Sequence, residues 1–319
     1  MTGRIRVLGG ALVVSTLLLV GCGDEGADTI RLYTSVTEGT VTAVVDLFEE
    51  ETGVEVDVFR APTGEVAARI AAEQREGGIQ ADVLWLTDPL TMQQYASDGI
   101  LQEWDPAGAE FVPSEYSTTT FWGTRILSMV MVQRDDLVVP LRSWDDLTRS
   151  DYQNMIAIPD PGFAGSALAV LGYFASTPEY GFDYVRRLAD NGLVVVNAPG
   201  EVVTGVAEGR FSAGITLAFS ARNAVEKGSP IEIVWPESGA VAVYSPIAVV
   251  SGASDAARRF LEHVLTEEAQ QAIAATGWQP IRSDVAWDEG GTQVSVDWAV
   301  LLDQRQDVLD TFRAILDDS

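Results

Sequence analysis

Residues 30–56 read IRLYTSVTEGTVTAVVDLFEEETGVEV, and the change of hydrophobic period inside that stretch restricts the chain to layered strands and helices. Residues 30–33 alternate as a short strand, and 34–40 form a polar turn. Val41, Val44, Val45, Leu47 and Phe48 then follow near the i, i+3, i+4, i+7 spacing of one buried helix face. Three glutamates crowd the end of that helix before Gly53 supplies a C-cap signal, and a second strand starts at Val54. The cycle repeats twice. Strand 54–59, turn 61–64 and helix 65–76 come first; strand 80–86, turn Thr87-Asp88-Pro89 and helix 90–97 come next. Such alternation predicts α/β layers around a mostly parallel sheet. Each strand runs into a turn holding Ser, Thr, Gly or Asp, and those turns gather at the carboxyl ends of the strands, where open α/β sheets bind ligands.

The middle of the chain builds a second lobe. Strands are expected at 121–123, 126–132, 155–158, 193–196, 213–217 and 231–235, and helices at 167–174, 201–208 and 220–227. Ser143 with Asp146 three residues on marks a capped helix start. Residues 239–250 lead back to the first lobe, and 255–276 and 296–316 read as closing helices. The predicted division is lobe 1 at 29–118 plus 245–319 and lobe 2 at 119–244. A chain that leaves one lobe and returns favours a hinge with a cleft.

Ahead of the first strand, Arg4 and Arg6 precede an apolar run over 7–20, too short for a comfortable membrane span. It ends in Leu19-Val20-Gly21-Cys22, which resembles a bacterial lipobox. Cys22 is the sole cysteine, which excludes a disulfide within the chain and suits a lipid attachment point. Residues 1–22 are thus expected to be a lipoprotein signal peptide and lipobox, 23–28 a tether, and the rest an exported domain, lipid-anchored at the outer face of the cell membrane or facing a periplasm. Loss of the two leader arginines moves the net charge from −27 to about −29. That acidity argues against nucleic acid as a partner. A 47% hydrophobic content with eight tryptophans indicates a packed core rather than disorder, and a monomer is expected.

Several segments then carry a resemblance, in order: residues 30–53, Ala81-Asp82-Val83-Leu84-Trp85, Asp98-Gly99-Ile100-Leu101, Ser143-Trp144-Asp145-Asp146-Leu147, 226–231 (EKGSPI) and Pro236-Glu237-Ser238-Gly239. Together they resemble the extracellular solute-binding proteins of ABC importers, in the branch of ferric-ion, phosphonate and thiamine binders. The resemblance implies a type II periplasmic-binding-protein fold, two lobes closing over one solute, and an ABC permease as partner. The ferric pattern it implies places histidine, glutamate and a tyrosine pair where this chain has Thr37, Thr87 or Asp88, and Ala218-Phe219. Phe219 keeps the ring without the phenolate oxygen, and hydroxyls do not replace the anionic oxygens that Fe³⁺ prefers. The sole histidine, His263, falls in a predicted helix as a structural or surface residue. No metal site and no cofactor are expected.

What the turns do hold suits an oxyanion. Ser35, Thr37, Thr63, Gly64, Thr87, Asp88, Ser166 and Ala167 stand at or before helix starts, and Phe219 is a candidate wall. Hydroxyls and helix N-termini bind tetrahedral anions, so a phosphonate or phosphorylated organic anion is the favoured cargo. Each residue is also an ordinary cap or turn former; the repetition carries the reading. Asp88 or Asp160 is a candidate partner for an amino group on such a solute, and Glu38 is a further nearby carboxylate. Trp122 and Tyr244 are candidate walls, and Arg125 and Arg222 candidate charges. Ferric ion, thiamine and polyamine remain alternative cargoes, and a ligand-sensing partner of a membrane receptor or a hydrolase the alternative classes. Ser166 lies in GFAGSA, not G-x-S-x-G, and no H-E-x-x-H, C-x-x-C or Walker motif is present. An enzyme is therefore not expected.

Overall fold

The computed structural model describes residues 29–288 and 290–319; the expected leader, Cys22 and the tether lie outside them. The first half builds β1 (Ile30–Thr34), α1 (Glu38–Thr52), β2 (Val56–Arg60), α2 (Thr63–Glu76), β3 (Val83–Trp85) and α3 (Pro89–Ser97). β1 pairs in parallel with β2 on one side and β3 on the other. Alternating helices and strands leave β1 and β3 buried on both faces, with Ile30, Leu32, Val83, Leu84 and Trp85 excluded from solvent. α1 presents Val41, Val44, Val45 and Phe48 to this core, and Gly53, at φ +70°, ends it in the left-handed conformation that favours glycine.

The second half contains β4 (Trp122–Arg134), β5 (Ile156–Pro159), α4 (Gly165–Ser176), α5 (Gly181–Asp190), β6 (Val194–Val196), α6 (Pro199–Ala207), β7 (Ala213–Leu217), α7 (Ala218–Glu226), β8 (Ile231–Val234) and β9 (Ala240–Val249). The chain closes with α8 (Asp255–Val264), α9 (Glu267–Ala275), β10 (Gln279–Pro280), β11 (Gln293–Val294) and α10 (Trp298–Asp317). The strand order is β2-β1-β3-β9-β4-β7-β5-β6, with β10 and β8 on β4 and β11 on β9.

Two long antiparallel strands, β4 and β9, pair at the middle of the sheet. One end of the pair holds Trp122 opposite Ile247, which also pairs with Trp85 of β3; the other holds Met129 opposite Val241, and Met129 also pairs with Leu217 of β7. The register of β4 shifts between Gly123 and Arg125. Thr124, the extra residue, accepts from the Trp85 indole at 2.8 Å and donates to the Ser245 carbonyl at 2.8 Å. A bulge of this kind bends a strand and re-aims the side chain after it.

Three expectations shift. Strands 121–123 and 126–132 are one bulged strand. The helix expected over 255–276 is two, because Thr266 turns the chain: its hydroxyl accepts from the Ala269 amide and donates to the His263 carbonyl, capping α9. α5 was not foreseen. α10, expected to close the first lobe, packs against α3 and also against α4 and α5. Gly172 of α4 permits that approach: a Cβ there would lie 2.6 Å from Leu301 Cδ1.

Candidate ligand-binding cleft

Because β1, β2 and β3 are parallel, the turns after them meet. Thr34 ends β1 by donating its hydroxyl to the Trp85 carbonyl at 2.6 Å and accepting from the Val36 amide at 3.0 Å. That leaves Ser35 at the centre of a hydroxyl cluster. Its Oγ accepts from Thr63 Oγ1 at 2.9 Å and from the Thr87 amide at 3.0 Å, and lies 3.2 Å from Thr87 Oγ1. Three turns far apart in the sequence therefore offer their hydroxyls at one spot.

The cleft over this cluster has about 1400 Å³ of empty space, part of it open to solvent. Residues 161–166 and Pro199, which follow β5 and β6, and Leu217, which ends β7, line it as well. Of the helices whose starts line the cleft, α3 alone has a side-chain cap, from Asp88. α3, α8, α9 and α10 each carry a side-chain cap, from Asp88, Ser254, Thr266 and Asp297. α1, α2, α4, α6 and α7, whose starts line the cleft, have none. α5 is also uncapped but begins elsewhere. Uncapped first-turn N–H groups, with the helix dipole behind them, are donors waiting for an anion.

Arg125 supplies the charge. The bulge in β4 sets it against the cleft wall, fully buried, with Nη1 donating to Thr37 Oγ1 at 3.2 Å and Thr40 Oγ1 at 3.4 Å. Its guanidinium carbon lies 4.2 Å from the centroid of the Trp278 ring. Nε and Nη2 are buried without a hydrogen-bond partner, and no carboxylate pairs with Arg125 among the described residues. Burial without a counter-ion pushes its pKa down to about 9. Arg125 exposes no surface in this conformation.

The structure brings Ser35, Thr37, Thr63, Gly64, Thr87, Asp88 and Ser166 to one cleft. Asp88 is the sole acidic residue in that lining, and its carboxylate serves its own helix: Oδ1 accepts from the Leu90 amide and Oδ2 from the Thr91 hydroxyl. Asp160 likewise accepts from the Gly162 amide. Ala167 lines a separate apolar cavity beside Leu171, Phe174 and Phe312. Phe219 is stacked on Trp278 at 4.0 Å, away from the cleft lining. Arg222 donates to the Gly277 carbonyl at 2.9 Å and stands over Trp287, so it too lies off the cleft. Trp122 packs edge-on against Trp104, and Tyr244 against Trp298; both are core. Glu38 is exposed in the first turn of α1. His263 is buried against Phe48, with Nδ1 3.1 Å from Glu51 Oε2.

Sequence reading missed Trp278 and Arg305. Trp278 had no periodicity to mark it. Arg305 did leave a signal: Leu301, Leu302, Val308 and Leu309 occupy its i±3 and i±4 positions, so no acid on its own helix is placed to pair with it.

The sequence profile of the bacterial extracellular solute-binding proteins matches residues 30–279. A probable ABC transporter periplasmic-binding protein of Sinorhizobium fredii is 23% identical over 85% of this chain and 79% of its own. The spermidine/putrescine-binding periplasmic protein of Salmonella typhimurium is 22% identical over 78% and 76%. Among solved structures, iron-bound HitA of Pseudomonas aeruginosa superposes with a TM-score of 0.78 at 19% identity, covering 90% of this chain and 99% of that one. AfuA of Actinobacillus pleuropneumoniae, with fructose-6-phosphate bound, gives 0.76 at 19% identity, covering 92% and 99%. The fold is that of the two-lobed type II periplasmic binding proteins, and the chain belongs to the bacterial extracellular solute-binding proteins.

Proposed function

We propose that this protein captures a small organic anion bearing a phosphonate or phosphate group and delivers it to an ABC importer. The observation that carries the reading is Arg125, a fully buried guanidinium with two unpartnered nitrogens at the cleft wall. In a chain of 47 acidic and 20 basic residues, the lining holds two arginines and one carboxylate already engaged in capping. That inversion of the overall charge balance suits an anion. A polyamine needs free carboxylates, and Fe³⁺ needs anionic oxygen donors; the lining has neither tyrosine nor histidine. AfuA, a structural neighbour, was crystallised with a sugar phosphate.

A thermal-shift screen over phosphate esters, phosphonates, thiamine, polyamines and Fe³⁺ with citrate tests the cargo. A ligand at 100 times its Kd stabilises by about 2.7 kcal/mol, an increase of several degrees, expected for phosphoryl compounds alone. If only Fe³⁺ raises the melting temperature, the anion reading is wrong. Replacing Thr37, Thr87 and Ser166 together by alanine is expected to abolish binding while the circular dichroism spectrum stays unchanged; retained affinity rejects the site. The lipid anchor is tested separately: Cys22→Ala should abolish incorporation of labelled palmitate and release the protein from the membrane fraction.

A further inference from the structure

The proposed phosphoryl site leaves a second cation of the same cleft lining unexplained. Arg305 lies in the third turn of α10 and lines the cleft. It is solvent-exposed and makes no ion pair among the described residues. This is unusual on a helix that also carries Asp303, Asp307 and Asp310. Arg313 of the same helix does pair, with Asp310 at 3.3 Å. Arg305 has Leu301 and Leu309 one turn away on either side, so it shares the sector of the helix that packs inward rather than the acidic one.

α10 also has an informative position. It rests on α3 from the first half of the chain and on α4 and α5 from the second, and Arg305 lies in the cleft lining that α3 and α4 border. Arg125, by contrast, is built into the β4–β9 strand pair. The two arginines thus belong to different elements lining one cavity, one buried and fixed, the other exposed on a flexible side chain.

We propose that the cargo carries a second anionic group, such as a carboxylate, at the end away from its phosphoryl group, and that Arg305 recognises it. The inference rests on the phosphoryl reading of the Arg125 site. It also sets the sign of the second group. With the lining's one carboxylate, Asp88, already accepting from the Leu90 amide and the Thr91 hydroxyl, and Arg305 unpaired among the described residues, a carboxylate at that end is favoured over an ammonium. Exposed in the ligand-free cleft, Arg305 contributes little; desolvated over a bound anion it forms a charge-assisted, bidentate pair, worth about tenfold in affinity.

Calorimetric titration of the full chain with methylphosphonate, phosphonoacetate and 2-aminoethylphosphonate decides the matter. The native protein is expected to bind phosphonoacetate about tenfold more tightly than methylphosphonate, and 2-aminoethylphosphonate more weakly than either. In Arg305→Gln, an exposed and fold-neutral change, phosphonoacetate falls to the affinity of methylphosphonate, and methylphosphonate itself is unaffected. Equal affinity for the three probes, or a phosphonoacetate preference that survives Arg305→Gln, overturns the Arg305 assignment and leaves the phosphoryl site standing. A preference for 2-aminoethylphosphonate overturns it too. Failure of all three probes to bind rejects the phosphoryl site itself and the inference with it.

Discussion

Replacing Arg125 by methionine is expected to abolish anion capture and, in the same variant, to raise the melting temperature of the ligand-free protein. The two effects share one cause. Arg125 is fully buried, held by two threonine hydroxyls and an indole ring, with no carboxylate to offset the loss of water. The fall of its pKa to about 9 reflects that loss of water, and keeping the charge inside costs several kcal/mol. Methionine of similar length removes the charge and loses two hydrogen bonds and a cation–π contact, each worth about 1 kcal/mol. The balance favours the variant by about 1–3 kcal/mol, or several degrees in Tm. Binding moves the other way. A buried charged partner contributes about 2–5 kcal/mol to anion affinity, a loss of 30-fold or more. Calorimetry of both proteins with and without ligand checks the pair of effects; a variant that is destabilised and still binds refutes the role.

The same depressed pKa sets a pH dependence. Below about pH 9 Arg125 is charged in both the folded and unfolded chain, so its stability penalty is constant. Above about pH 9 the unfolded chain still holds the proton and the folded one does not, so the penalty is relieved as pH rises. Anion binding needs the proton. Affinity should be flat below about pH 9 and then fall by up to tenfold per pH unit, a dependence that Arg125→Met removes.

Gly214→Ala is expected to be the most damaging single-methyl change in the predicted lobe 2. Gly214 lies in β7 between β4 and β5, and an added Cβ would fall on the Ala157 carbonyl oxygen and 2.5 Å from Val202 Cγ1. The carbonyl is backbone in a neighbouring strand and cannot swing away, so the sheet must open. Overpacking of this kind costs about 3 kcal/mol, which lowers Tm by about 6–12 °C. Denaturant unfolding measures it; a loss below about 0.5 kcal/mol shows that the strands adjust. Because β7 ends at Leu217 in the cleft wall, the variant should also weaken ligand binding.

How far the sequence reveals this protein depends on whether a property is local. The strand–turn–helix cycle of residues 30–97 was legible because period and caps lie within a few residues of one another. So was the gathering of Ser35, Thr63 and Thr87, since parallel strands oblige their following turns to share an edge. Ala167 and Phe219 were misplaced by the same logic taken too far. Ala167 is one residue past Ser166, and that step rotates it from the cleft to the core of α4. Phe219 follows a strand end as required, but Trp278, distant in sequence, stacks on its ring.

By itself the sequence determined the fold class, the two-lobed plan and the hydroxyl-rich edge, because hydrophobic period and turn chemistry are encoded locally. Only the tertiary structure decided which charge lies in the cleft. Among twenty basic residues, Arg125 and Arg305 stand there without carboxylates. A β-bulge aims the first, and the packing of α10 on α3, α4 and α5 delivers the second. Burial and pairing depend on what the rest of the chain brings alongside, and no local pattern carries that.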